Sequence, residues 1–338
     1  MNGMDFKIID SHSHPGYERK DIEKRPGCTL MWFGAQNPSS AMIRAALGDP
    51  EPWKPITKIE EIPDFGVDYW IKYMDDMGIS HMGLQAMDTE SDPPLSWRWQ
   101  VPYEYVKKEF IDKYPDRFWG IGGIHYKLGP EHSLEQVEKA KEFGFPGVKM
   151  FTVLEGYPND REKCYPIYER CVKLGLHVEF HVGVEDVPGA RFKYSDPIYI
   201  QDVAMDFPDL KIVMLHCGFF LSPERAVGIC AMQPNVYTDI TNALSIFMDL
   251  KKYTYDLEHL RVLEQFIPDK VWYGSDFPVT HAWQKTTIAR LKDLPLSVEF
   301  KRKLLRDNAA KFFLGKTPEM LAAEKVTTQW SRVDIEAK

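Results

Sequence analysis

The stretch FKIIDSHSHP, residues 6–15, decides how the rest of the chain is read. A short apolar run opens into polar residues at its end, as a strand does when both its faces are buried in a parallel sheet. The same pattern returns in HMGLQAM from His81, RFWGIGGIH from Arg117, GVKMF from Gly147 and LHVEFHVG from Leu176. It continues in LKIVMLHC from Leu210, VYTDIT from Val236 and VWYGSDF from Val271. Between these runs lie stretches of helical character. VDYWIKYMDDMG closes at Gly78, and SLEQVEKAKEFG offers a capping box from Ser133 to Gln136 and stops at Gly144. PIYERCVKLG and DPIYIQDVAMDFPD stand before the fifth and sixth strands. Eight strands with helical crossovers predict a closed (β/α)8 barrel of the TIM type. No GxGxxG follows the first strand, which weakens a dinucleotide-binding reading.

One domain is expected over residues 1–315. Residues 15–65, rich in Pro, Gly and aromatics, form an insertion much longer than an ordinary βα connection. The insertion leaves the end of the first strand and is expected to cover the active face as a lid. Residues 316–338 read as a C-terminal tail.

The 338 residues carry 50 acidic and 42 basic side chains, a formal charge of −8 that argues against a nucleic-acid surface. No apolar run approaches the roughly 18 residues of a membrane span, and no secretory leader is visible at the N-terminus. The five cysteines are odd in number and make no CxxC pair, so reduced, mostly buried thiols and a cytoplasmic location are expected.

His12 and His14 alternate on the first strand and so share a face. Two imidazoles converging there suit a borderline divalent ion, although a pair of surface histidines fits the same spacing. His181, His216 and Asp276 fall at the corresponding ends of three other strands, where barrel enzymes gather their catalytic groups. Taken singly, His181 and His216 read equally as satisfied core histidines.

These residues together resemble the amidohydrolase superfamily, and more narrowly the branch that includes aminocarboxymuconate semialdehyde decarboxylase. YPDRFWGIGGIH, FGFPGVKM, FPDLKIVMLHCG and RDNAAKFF support the resemblance over roughly residues 5–315. It implies that His12, His14, His181 and Asp276 hold one divalent ion, Zn2+ or alternatively Mn2+. Asp276 would also take a proton from metal-bound water, and His216 would polarise the substrate or shuttle a proton. Lys149 ends the fourth strand, where binuclear members carry a bridging carbamate; a cation facing the substrate and a structural ion pair are the other readings. Glu179 is expected deeper in the barrel, buried and paired.

Candidate substrate contacts are Lys149, His125 and the aromatic–cationic cluster Trp97, Arg98 and Trp99, with Arg19, Arg25, Trp32, Phe33 and Arg44 in the insertion. The expected substrate is a small organic molecule. Hydrolysis of a lactone, amide or related bond is placed first, because HCGFF replaces the glycine-rich run of typical decarboxylases after strand six. Non-oxidative decarboxylation of a carboxylated aromatic or muconate-like acid is the alternative, and a catalytically silent barrel is the third class. A homodimer is expected from the resemblance and from Trp330 in the tail.

Overall fold

The computed structural model describes residues 6–16, 50–51, 54, 66–93, 98–185, 187–219, 221–243, 254–278 and 281–323. Most of the insertion, including all five of its candidate residues, lies outside this set, as do Trp97, Cys28 and Trp330.

Ten strands are described: β1 Ile8–Ser13, β2 Ile79–Gln85, β3 Met87–Glu90, β4 Arg98–Val101, β5 Phe118–Ile124, β6 Gly147–Met150, β7 His177–Gly183, β8 Ile212–Phe219, β9 Val236–Asp239 and β10 Val271–Trp272. All but β3 and β4 form one parallel sheet in the order β1-β2-β5-β6-β7-β8-β9-β10. These are the eight runs expected from the sequence. The ends of the sheet meet through Ser11 N to Tyr273 O at 3.1 Å, Asp276 N to His12 O at 2.9 Å and His14 N to Phe277 O at 2.7 Å. The fold is therefore a nearly closed (β/α)8 barrel.

The helices follow the apolar spacing. Val67–Met77 buries Val67, Trp70, Tyr73 and Met74 and ends at Gly78, whose φ of 76° needs the freedom of glycine. Phe277, the residue after Asp276, stacks on Tyr73 at 3.8 Å and meets Trp70 edge-on at 4.7 Å. The helix on the outside thus braces the loop that carries Asp276.

The expected capping box at Ser133 is not formed. The helix begins at Pro130, where a missing N–H costs nothing, so Ser133 already lies inside it and donates to Gly129 O. The antiparallel hairpin β3–β4 was also not anticipated; four-residue strands outside the repeat leave little periodicity to read.

Two buried clusters divide the core. The larger fills the space between strands and helices. The smaller joins Ile9, Trp119, Ile121, Val213, Leu215 and Trp272 on the strands to Phe312 and Phe313 near the C-terminus. Phe313 stacks on Trp119 at 5.1 Å, and Phe312 packs on His177 at 5.0 Å. This aromatic packing leaves the polar chemistry to the other ends of the strands.

Candidate metal centre

Between Asp10 and Ser13 the register of β1 against β2 slips; His12 lies within that stretch and His14 just after it. Their Nε2 atoms are 3.2 Å apart, and His14 Nε2 lies 3.2 Å from Asp276 Oδ1. His12 Nε2 is 3.7 Å from the same oxygen. One ligand atom from each of these buried residues falls within 4.8 Å of the others.

Backbone geometry supports the convergence. Among the described residues, four non-glycine residues have positive φ: His216 at 65°, Cys217 at 48°, Asn242 at 59° and Asp276 at 58°. Each pays about 1–2 kcal/mol for that conformation. Asn242 donates to Asp276 Oδ2, so two of these residues are bonded to each other at the site.

A further residue arranges His12. Asp239, at the end of β9, places Oδ2 3.2 Å from His12 Nδ1. The same carboxylate accepts from His216 N at 2.6 Å and from Thr241 Oγ1 at 2.7 Å. Asp239 was not singled out from the sequence, although it lies in VYTDIT and is the last residue of β9. His216 sends Nδ1 to Thr241 O at 3.2 Å, and its ring lies 5.0 Å from that of His12 and 4.5 Å from that of His181.

His181 is buried beside this group but not within the three-residue cluster. Its Nε2 donates to Val184 O at 3.3 Å, which leaves Nδ1 as the lone-pair nitrogen; that atom is buried and has no hydrogen-bond partner among the described residues. Glu185 Oε2 is 3.7 Å from it.

Burial, followed by the charge of Lys149, holds the pKa of His12 and His14 well below that of free histidine. The same two causes push His181 down to about 3. His216 is also well below, through burial first and then its histidine neighbours. All four rings are therefore neutral near pH 7, the state in which imidazole binds a metal.

Lys149 is buried, with Nζ 3.2 Å from His12 Nε2 and 3.4 Å from His14 Nε2. Burial lowers its pKa, and it makes no ion pair with a described carboxylate, so the structural ion-pair reading is not realised. Glu179 pairs alongside Lys149 in register and is buried, with its oxygens on Gln85 Nε2 at 2.8 Å and His177 Nε2 at 3.0 Å.

Of the expected substrate contacts, Trp99 does reach the site: its ring is 4.5 Å from that of His14 and 6.0 Å from that of Phe151. Arg98 and His125 are not brought to the cluster. Both approach Asp88 on β3 instead; Arg98 does so because it neighbours Trp99 on β4, and adjacent residues of a strand face opposite ways.

The donor set fits a divalent ion of the zinc or manganese kind. Neutral imidazoles and a carboxylate are its ordinary ligands, and Asp276 Oδ1 is buried without a hydrogen-bond donor among the described residues. Fold and site together define a barrel enzyme with a candidate metal centre at the ends of its strands. The amidohydrolase family profile matches residues 9–314, and the chain belongs to that family.

Over 311 residues the chain is 22% identical to 2-amino-3-carboxymuconate-6-semialdehyde decarboxylase of Dictyostelium discoideum, covering 80% of this chain and 79% of that one. Its fold is similar to that of a TIM-barrel protein from Bordetella bronchiseptica, with a TM-score of 0.67, 21% identity and coverage of 91% and 99%. It is also similar to 5-carboxyvanillate decarboxylase from Novosphingobium aromaticivorans, with manganese and a nitrobenzoic acid bound, at a TM-score of 0.61, 16% identity and coverage of 92% and 97%.

Among the described residues no helix is long and apolar enough to cross a membrane. The four described cysteines, Cys164, Cys171, Cys217 and Cys230, are buried and free.

Proposed function

We propose that this enzyme is a metal-dependent, non-oxidative decarboxylase of a small carboxylated substrate, aromatic or muconate-like. The observation that carries this reading is the match to a decarboxylase along four-fifths of the chain. It reverses the order taken from the sequence, where hydrolysis stood first. The reason given for hydrolysis also loses force. His216, Cys217 and Gly218 adopt φ values of 65°, 48° and 72°, so this run holds a left-handed backbone without a chain of glycines.

His12, His14 and Asp276 would hold the ion, with His181 joining through Nδ1. Bound there, a divalent ion supplies a Lewis acid that draws negative charge from the substrate. Lys149 adds positive charge on the same side, which favours a carboxylated ligand. Trp99, set edge-to-face against Phe151, gives an aromatic face beside His14 for a planar acid. In the reaction the carbon–carbon bond to the carboxylate breaks, carbon dioxide leaves, and a proton takes its place on the carbon. His216, with Nδ1–H donated to Thr241 O, has its Nε2 lone pair free to take a proton from solvent and hand it to that carbon.

The test is incubation of the manganese- and zinc-loaded enzyme with carboxylated aromatics and muconate-type acids. Carbon dioxide release with a product one carboxylate shorter is expected. Turnover of lactones or amides without gas release would return the assignment to hydrolysis.

A further inference from the structure

Lys149 lies on β6, is only 2% exposed, and places Nζ 3.2 Å from His12 Nε2 and 3.4 Å from His14 Nε2. Those two nitrogens are themselves 3.2 Å apart, so the three atoms make a nearly equilateral triangle. The carboxylate beside Lys149 in register, Glu179, is already held by Gln85 and His177. The lysine is therefore directed to the two imidazoles rather than to an acid.

A neutral imidazole has one nitrogen with a lone pair. In His12 that nitrogen is Nε2, because Asp239 accepts the proton on Nδ1. Nζ donates to it at hydrogen-bond distance and faces His14 Nε2 in the same way. A lysine nitrogen has at least two N–H bonds whether or not it is charged, enough for both rings. The same two nitrogens are the ones a divalent ion needs, and one lone pair cannot serve two partners at once. The two partners are not equal. Lys149 leaves Asp276 Oδ1 without a donor among the described residues, whereas an ion of the zinc type takes all three groups as ligands. The flexible four-carbon stem also lets Nζ move away; the ring of Phe151, part of the aromatic face, is 6.0 Å from it.

We propose that Lys149 is a built-in competitor of the metal: its Nζ holds His12 and His14 against the ion, and metal uptake has to displace it. The inference rests on the metal centre proposed above. It is distinct from a carbamate bridge, which would make Lys149 a ligand. It is distinct as well from a purely structural cation, whose removal would weaken the site.

The test is the zinc affinity of the full chain, stripped with chelator and titrated in competition with a chromophoric chelator. Lys149→Met keeps a long side chain and removes the donor. It is expected to bind zinc roughly 10- to 100-fold more tightly than wild type, because the hydrogen bonds that the ion must break are gone. Equal or weaker binding overturns the proposal and leaves the metal centre standing. Two ions per wild-type chain against one in Lys149→Met would assign a carbamate and also overturn it. Failure of both proteins to take up zinc removes the metal centre and the proposal with it. If circular dichroism shows that Lys149→Met is unfolded, Lys149→Leu replaces it, with the same expectation and the same overturning results.

Discussion

Asp239 Oδ2 sits 3.2 Å from His12 Nδ1, and both residues are fully buried. The carboxylate accepts the Nδ1 proton and so leaves the lone pair on Nε2, the atom that meets His14 and Asp276. Metal-binding histidines are commonly oriented in this way. Asp239→Asn is expected to weaken metal binding by about 10–100-fold, measured by competition with a chromophoric chelator. Unchanged affinity would show that the contact only packs the ring.

His12→Ala and Asp276→Ala should lose bound metal and activity together. His216→Asn should keep the metal and lose roughly 10²–10⁴-fold in turnover, the usual contribution of a proton-transfer group. Elemental analysis beside steady-state kinetics separates the two classes. Loss of metal in His216→Asn would make His216 a ligand.

Trp99 provides the described part of the aromatic wall over His14. Trp99→Ala should raise KM roughly tenfold with kcat little changed, as removal of about 1–1.5 kcal/mol of ring contact would. An equal fall in kcat would place Trp99 in transition-state binding instead.

Asp10 offers a test in stability. Its Oδ1 accepts from Ser275 N at 2.9 Å and His12 N at 3.2 Å, but burial outweighs these bonds and raises its pKa to about 7. Between roughly pH 4 and 7 the folded state keeps a proton that the unfolded chain has released. That contribution to stability is therefore complete at low pH and is lost as the pH rises through the window. Asp10→Asn removes the loss, so its stability relative to wild type should climb by up to about 4 kcal/mol between pH 4 and 8. Urea denaturation at several pH values reads this directly, and a difference that does not vary with pH would refute it.

The sequence by itself determined the barrel, because eight apolar runs turning polar at one end leave few other ways to bury two-faced strands. It also marked His12, His14 and Asp276, since strand alternation and strand-end position are local properties. Tertiary structure decided what depends on groups distant along the chain. Asp239 orients His12 across 227 positions, and Asn242 reaches Asp276 only because both loops bend to positive φ. The hairpin sent Trp99 toward His14 and Arg98 toward Asp88, a choice of face that an unrecognised four-residue strand could not announce. His181 shows the same limit. Its place on β7 is legible in LHVEFHVG, but the contact of its Nε2 with Val184 O is set by how the chain turns after the strand. Periodicity fixes which side of a strand a residue occupies; the direction of its ring nitrogens depends on the packing around it.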